Sequence, residues 1–168
     1  MEFNELIENR FSCKNYSDKK VEKEALQAIL EAGRLAPTAK NRQEQRIYVV
    51  QSEEGLKKID EITPCRYGAS TVLVCAYKDV DIYRYGKNNA GIEDVAIVST
   101  YMMLASKNAG VDSCWINRFD PEAAKKVLGL PEDEEVVLLM NLGYPSELGK
   151  PLPNHFSRKD LAETVEYK

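Results

Sequence analysis

The spacing of apolar positions along this chain changes period several times, and each change marks an element. Phe3, Leu6, Ile7 and Arg10 recur at helical spacing, which predicts a short helix over residues 2–10. Ala25, Leu26, Ile29, Leu30 and Gly33 form one stripe, so Glu22 to Ala36 reads as an amphipathic helix stopped by Pro37. Arg46 to Gln51 is rich in β-formers and predicts a strand. Ser52 is placed to cap a helix running to Ile62, with Glu53 and Glu54 in its first turn, where the helix dipole favours anions. Ser70 to Tyr77 is almost continuously apolar, as expected of a central strand covered on both faces. Val80 to Asn89 is polar and Tyr-rich and reads as an exposed loop. Next come a strand over Asp112 to Asn117, a helix over Pro121 to Leu128 with Asp120 as cap, and a strand over Glu135 to Leu142. Residues 144–168 contain Pro145, Pro151 and Pro153 and read as an extended arm ending in a short helix.

Gly91 to Asn108 departs from this pattern. Ile92, Val95, Ala96, Ile97, Val98, Tyr101, Met102, Met103 and Leu104 place apolar side chains almost all round a helix. Such a helix must be covered on every side, and a chain of this size can do so between a sheet and a second subunit. Helices and strands alternate, but two helices precede the first strand, which suggests a mixed α/β sheet with helices on both faces. The 168 residues are expected to form one domain, 1–168, and show no internal repeat.

Composition narrows the function classes. A net charge of −4 argues against a general nucleic-acid binder but permits a local cationic pocket. His155 is the sole histidine, which nearly removes His-based triads and His-rich metal sites. Cys13, Cys65, Cys75 and Cys114 form no Cys-x-x-Cys pair and read as reduced thiols. The acidic, amphipathic start is unlike a secretory leader, and the uncharged run Val95 to Ser106 is too short to span a bilayer, so a cytoplasmic protein without a membrane segment is expected. No Gly-x-Gly-x-x-Gly occurs. The Gly143 to Pro151 segment is a poor P-loop, because Pro151 stands where the magnesium-binding Ser or Thr would be.

Two polar signatures flank the second predicted helix. In Arg10-Phe-Ser12-Cys-Lys14-Asn-Tyr16, alternate positions carry a cation, a hydroxyl and a cation. In extended backbone these three side chains share one side and suit a phosphate: Arg offers a fork of donors, Lys a mobile charge, Ser a neutral donor. A solvated polar linker is the plainer reading of the spacing alone. The second signature, Ala36-Pro37-Thr38-Ala39-Lys40-Asn41-Arg42-Gln43, ends the helix and then offers two side-chain amides. Amides both donate and accept, which suits the edge of a heterocycle, although Asn also bonds its own backbone in turns.

These segments resemble the nitroreductase family of FMN-dependent oxidoreductases, which has Arg-x-Ser-x-Arg/Lys followed by Ala-Pro-Ser/Thr-x-x-Asn-x-Gln. The likeness continues in the long apolar helix, in Gly110-Val-Asp-Ser-Cys-Trp-Ile-Asn117, in Asn141-Leu-Gly-Tyr-Pro145 and in Arg158 followed by Leu161. It implies an α+β three-layer sandwich: a mixed, mainly antiparallel sheet flanked by helices, dimerised through the long central helix, with the C-terminal arm wrapping the partner. It also implies FMN at the subunit interface. Arg10, Ser12, Lys14 and Arg158 would hold the phosphate. Asn41 and Gln43 would meet the ring edge, and Pro37, Thr38 and Ala39 would line it from the other subunit. The main chain around Ile116 and Asn117 would lie near the reactive flavin nitrogen. Phe156 occupies a position where the family often has Lys, which leaves Lys150 or His155 as substitutes near the phosphate. Trp115 and Cys114 read as core residues. The implied activity passes hydride from NADH or NADPH through the flavin to a small conjugated oxidant such as a nitroaromatic or quinone. The chain offers no nucleophile–base pair, in keeping with chemistry carried by a cofactor. The alternatives are a flavin-binding store or sensor without turnover, and a cofactor-free interaction domain.

Overall fold

The computed structural model describes residues 2–80 and 82–168. Its centre is a four-stranded sheet. The strands are β1 (Gln45–Val50), β2 (Thr71–Lys78), β5 (Asp112–Ile116) and β6 (Glu134–Gly143), in the order β1-β2-β6-β5. All three strand pairs are antiparallel. A parallel bridge from Ser12 to Ser113 adds the N-terminal segment to the outer edge of β5, so the sheet is mixed and mainly antiparallel as expected.

The apolar run of β2 explains its central place. Leu73, Cys75 and Tyr77 face one core with α2 (Lys23–Arg34) and α4 (Ala90–Asn108). Val72, Val74 and Ala76 face a second core with α3 (Glu53–Ile62) and α5 (Pro121–Leu128). All six are buried, and period-two alternation divides them between the two helical layers. The buried Asn141 of β6 is satisfied by donating to the carbonyls of Cys65 and Arg66, at 2.9 and 3.0 Å.

The predicted helix signals act as their chemistry requires. The Ser52 hydroxyl accepts from the Gly55 N–H at 3.1 Å. The Asp120 carboxylate accepts from the N–H groups of Glu122 and Ala123, at 2.9 and 3.1 Å. Helix α2 closes at its C-cap, Leu35, just ahead of Pro37, which bars the helix from continuing. On α2, a Cβ at Gly33 would stand 2.7 Å from Met102 Cγ, so this glycine lets α2 and α4 approach closely.

Two segments differ from the sequence reading. Residues 80–89, of which 81 lies outside the described residues, hold a short hairpin of β3 (Arg84–Tyr85) and β4 (Asn88–Asn89) rather than a plain loop. It turns at Gly86, where φ is +60°, and ends in Asn89, whose side chain caps α4 by accepting from Gly91 N–H at 2.8 Å. The arm ends in two 3-10 turns, Pro153–Phe156 and Leu161–Glu163, in place of the expected short helix. Its prolines and the lack of buried residues in these turns leave a longer helix without support. Within one chain, only part of the apolar circumference of α4 is covered. Val95, Val98 and Met102 are buried, whereas Ile92, Ile97 and Tyr101 remain exposed in the single chain.

Candidate functional site

The first signature forms the extended ribbon that its alternation predicts. Helix α1 (Phe3–Asn9) ends at Arg10, whose backbone is extended (φ −70°, ψ 127°). The Cys13 N–H donates to Ser113 O at 3.0 Å, pinning the ribbon against β5. Phe11 and Cys13 point into a small core with Tyr16 and Ala69. Arg10, Ser12 and Lys14 take the other side and line a cavity of about 310 Å³ with Cys114, Trp115, Asn154, His155 and Arg158. Four of the predicted residues are thus brought together from the two ends of the chain.

The cavity is cationic. No Asp or Glu lines it, and among the described residues Arg10, Lys14 and Arg158 form no ion pair with a carboxylate. Arg158 turns its guanidinium back onto the carbonyls of His155 and Ser157, the latter at 2.7 Å. The arm therefore holds its own cation at the cavity. His155 sits on the same wall, its ring edge-on to Phe11 (centroids 6.4 Å apart) and Phe156 (4.9 Å). Lys150 is not among the lining residues. Burial pushes the Cys114 thiol up to about 11, although Lys14 nearby acts in the opposite direction. A neutral thiol at neutral pH is a poor nucleophile.

Trp115, which reads from the sequence as a core residue, lines this cavity and a second, more apolar one. That second space, about 470 Å³, is bounded by Tyr77, Ile92, Ala96, Asn117 and Pro121 among others. The indole N–H of Trp115 is buried and has no hydrogen-bond partner among the described residues. Such a donor is normally satisfied when buried, so this one is an exception among the described residues. The signal in the sequence is slight: an aromatic at the end of a strand, opposite Met140. Asn117 belongs to the second cavity, while the Ile116 side chain is buried in the α3/α5 core and leaves only its main chain available.

The second signature does not reach the cationic cavity within one chain; none of Pro37, Thr38, Ala39, Asn41 and Gln43 lines it. It forms a tight turn around Ala39–Asn41. Lys40, Asn41 and Gln43 all have positive φ, at 52°, 54° and 56°. That region costs a non-glycine residue on the order of 1–3 kcal/mol, with Asn among the more tolerant. Internal hydrogen bonds hold the turn: Gln43 N–H to Thr38 Oγ1 at 3.1 Å, and Gln43 Nε2 to Asn41 O at 3.2 Å. Two contacts tie it to the body. Lys40 Nζ stands 4.5 Å from the centre of the Tyr83 ring, and the Ala39 N–H donates to Asp94 Oδ1 of α4 at 2.8 Å. Asp94 is nearly buried, and desolvation raises its carboxyl from its ordinary value against the pull of the Ala39 N–H.

The chain is 30% identical over 150 residues to an Archaeoglobus fulgidus protein named for NADH dehydrogenase/NAD(P)H nitroreductase, with 84% of each chain covered. It superposes with a TM-score of 0.93 on the crystal structure of a nitroreductase family protein from Clostridium difficile, at 33% identity, covering 100% of this chain and 99% of that one. A protein from Exiguobacterium sibiricum, solved in complex with FMN, shares the fold at 20% identity and a TM-score of 0.88, covering 100% of this chain and 98% of that one. The sequence profile of the Nitroreductase family matches residues 7–66 and 63–144, and the chain belongs to that family.

Proposed function

We propose that the protein is an FMN-dependent oxidoreductase that takes hydride from NADH or NADPH and passes it to a small conjugated acceptor such as a nitroaromatic or quinone. The observation that carries this reading is the carboxylate-free cavity in which Arg10, Lys14 and Arg158 converge with Ser12. The residues fit the phosphate of FMN. Three cations neutralise a dianion, and Ser12 adds a neutral donor. A homologue's name and a fold relative's bound FMN point the same way.

When bound, the flavin supplies the hydride chemistry, and the chain supplies binding, orientation and electrostatics. Arg10, Ser12, Lys14 and Arg158 fix the phosphate end. The neutral Cys114 thiol leaves the cavity wall without a competing nucleophile. Asn41 and Gln43 serve the ring edge, and Pro37, Thr38 and Ala39 line it.

That arrangement calls for a homodimer, because one chain keeps the two signatures apart. The exposed apolar residues support it. Ile92, Ile97 and Tyr101 lie uncovered on α4, and Leu148, Leu152, Phe156, Leu161 and Val165 lie uncovered along the arm. A second copy seated on α4 would cover both sets and bring its own 37–43 turn to the first copy's cation cavity.

The test is an anaerobic titration of the purified protein. Bound flavin should give an absorbance band in the blue that NADH or NADPH bleaches and that a nitro compound or quinone restores. Flavin that binds but is bleached by neither nucleotide would mark a store or sensor instead. A protein that takes up no FMN would refute the proposal.

A further inference from the structure

The strained turn of the second signature raises the question of what fixes its position. Its internal hydrogen bonds set its shape without setting its place. They run from Asn41 N–H to Thr38 O at 2.9 Å, from Arg42 N–H to Ala39 O at 3.2 Å, and from the two donors of Gln43. Among the described residues, the bond from Ala39 N–H to Asp94 Oδ1 is the one hydrogen bond that joins residues 38–43 to the helical body, accompanied by the Lys40–Tyr83 contact. Asp94 is itself held rigidly. It lies near the start of the 19-residue α4, is 7% exposed, and is followed by the fully buried Val95.

A nearly buried carboxylate is an unfavourable component of an apolar interface unless its partners compensate it. This one accepts a backbone N–H from a turn whose internal hydrogen bonds leave its place unset. We propose that Asp94 is a positioning residue: by accepting from Ala39 it sets the height of the 37–43 turn above α4, and with it the aim of Asn41 and Gln43 at the flavin ring. The inference rests on the proposed flavin site. It adds that the same carboxylate, on the helix that carries the exposed Ile97 and Tyr101, couples the ring-edge turn to the face available to a second copy.

The test uses the whole chain and four variants. Asp94→Asn keeps an acceptor oxygen, and Asp94→Ala removes it. Ala39→Pro removes the donor from the other side; proline suits the first position of a helical turn, and Thr38 before it is already extended (φ −132°, ψ 156°). The double variant Asp94→Ala/Ala39→Pro completes the cycle. FMN affinity is read by quenching of flavin fluorescence, and the environment of the ring by visible circular dichroism of the bound flavin. Asp94→Ala and Ala39→Pro should each weaken FMN binding roughly tenfold and change the dichroic band, and the double variant should be no worse than either. Asp94→Asn should restore both. Amide exchange at Ala39 gives a readout that needs no flavin: protection in the parent and in Asp94→Asn, fast exchange in Asp94→Ala. Parent-like exchange and parent-like dichroism in a folded Asp94→Ala protein would overturn the inference. If Asp94→Ala does not fold, amide exchange at Ala39 in the parent decides, since fast exchange there would overturn the inference. A parent protein that binds no FMN but shows the expected exchange pattern would remove the flavin reading while leaving the tether in place.

Discussion

Arg10 and Asp94 show two opposite ways of placing a charge. Arg10 sits in a cavity without a carboxylate partner, so its charge is available to an anion. Replacing it with Ala should weaken FMN binding by about 1.5–3 kcal/mol, the range for a hydrogen bond to a charged group. Equilibrium fluorescence titration measures this, and unchanged affinity would contradict the phosphate assignment. Asp94 is a carboxyl whose burial raises its folded-state pKa above the ordinary value. The native state then holds the proton more tightly than the unfolded chain. The destabilising contribution of the charged form is fully present at pH above the folded pKa and fades as pH falls through it. Asp94→Asn removes that contribution. The variant should be at least as stable as the parent at neutral pH, with its advantage shrinking in the acid range, as urea midpoints at the two pH values would report. A variant less stable than its parent at neutral pH would show that the carboxylate charge strengthens the Ala39 bond by more than its desolvation costs. At this scale the alternation of Arg10, Ser12 and Lys14 is readable because extended backbone has a fixed period. Trp115 is not, because nothing local distinguishes an aromatic that packs into a core from one that walls a cavity.

Among the elements, α4 has the most to settle. Its apolar positions go nearly all round, and the structure divides them between a face buried on the sheet and α2 and a face left open. Gly91 in its first turn is fixed by contact: a Cβ there would lie 2.6 Å from two ring atoms of Tyr77. Tyr77 is buried in β2, and Asn89 donates to its hydroxyl at 3.2 Å, so the ring has little room to move. Gly91→Ala should therefore destabilise the fold by about 1–3 kcal/mol, the usual consequence of overpacking, even though Ala is the better helix former. Thermal or urea unfolding checks this, and a stabilised variant would show that Tyr77 yields. The caps at Ser52 and Asp120 are legible from one residue each, because capping is a local hydrogen bond. The β3–β4 hairpin is not, since two-residue strands carry no periodicity.

At the scale of the whole molecule, the exposed apolar residues of α4 and of the arm determine the next prediction. Light scattering at micromolar concentration should return twice the 19.0 kDa chain mass. Placing a charge on the open face, as in Ile97→Asp, should lower that mass toward one chain and release FMN with it. A monomeric parent would contradict the homodimer, and a monomeric Ile97→Asp protein with full FMN affinity would confine the site to one subunit. No helix among the described residues is long and apolar enough to cross a membrane, so these patches are not membrane-spanning helices.

The sequence alone determined what depends on near neighbours: helix stripes, caps, the central place of β2 and the shared side of Arg10, Ser12 and Lys14. These follow from periodicities of 3.6 and 2 and from single hydrogen bonds, which a linear pattern records. Tertiary structure decided the rest. It brought Arg158 from the C-terminal arm to residues near the other end of the chain, and turned Trp115 to a cavity wall. It kept the second signature away from the first within one chain, and paired Ala39 with Asp94 across 55 positions. Such contacts arise from how layers pack on one another, and no local spacing encodes the distance between residues that only the packed sheet and helices bring together.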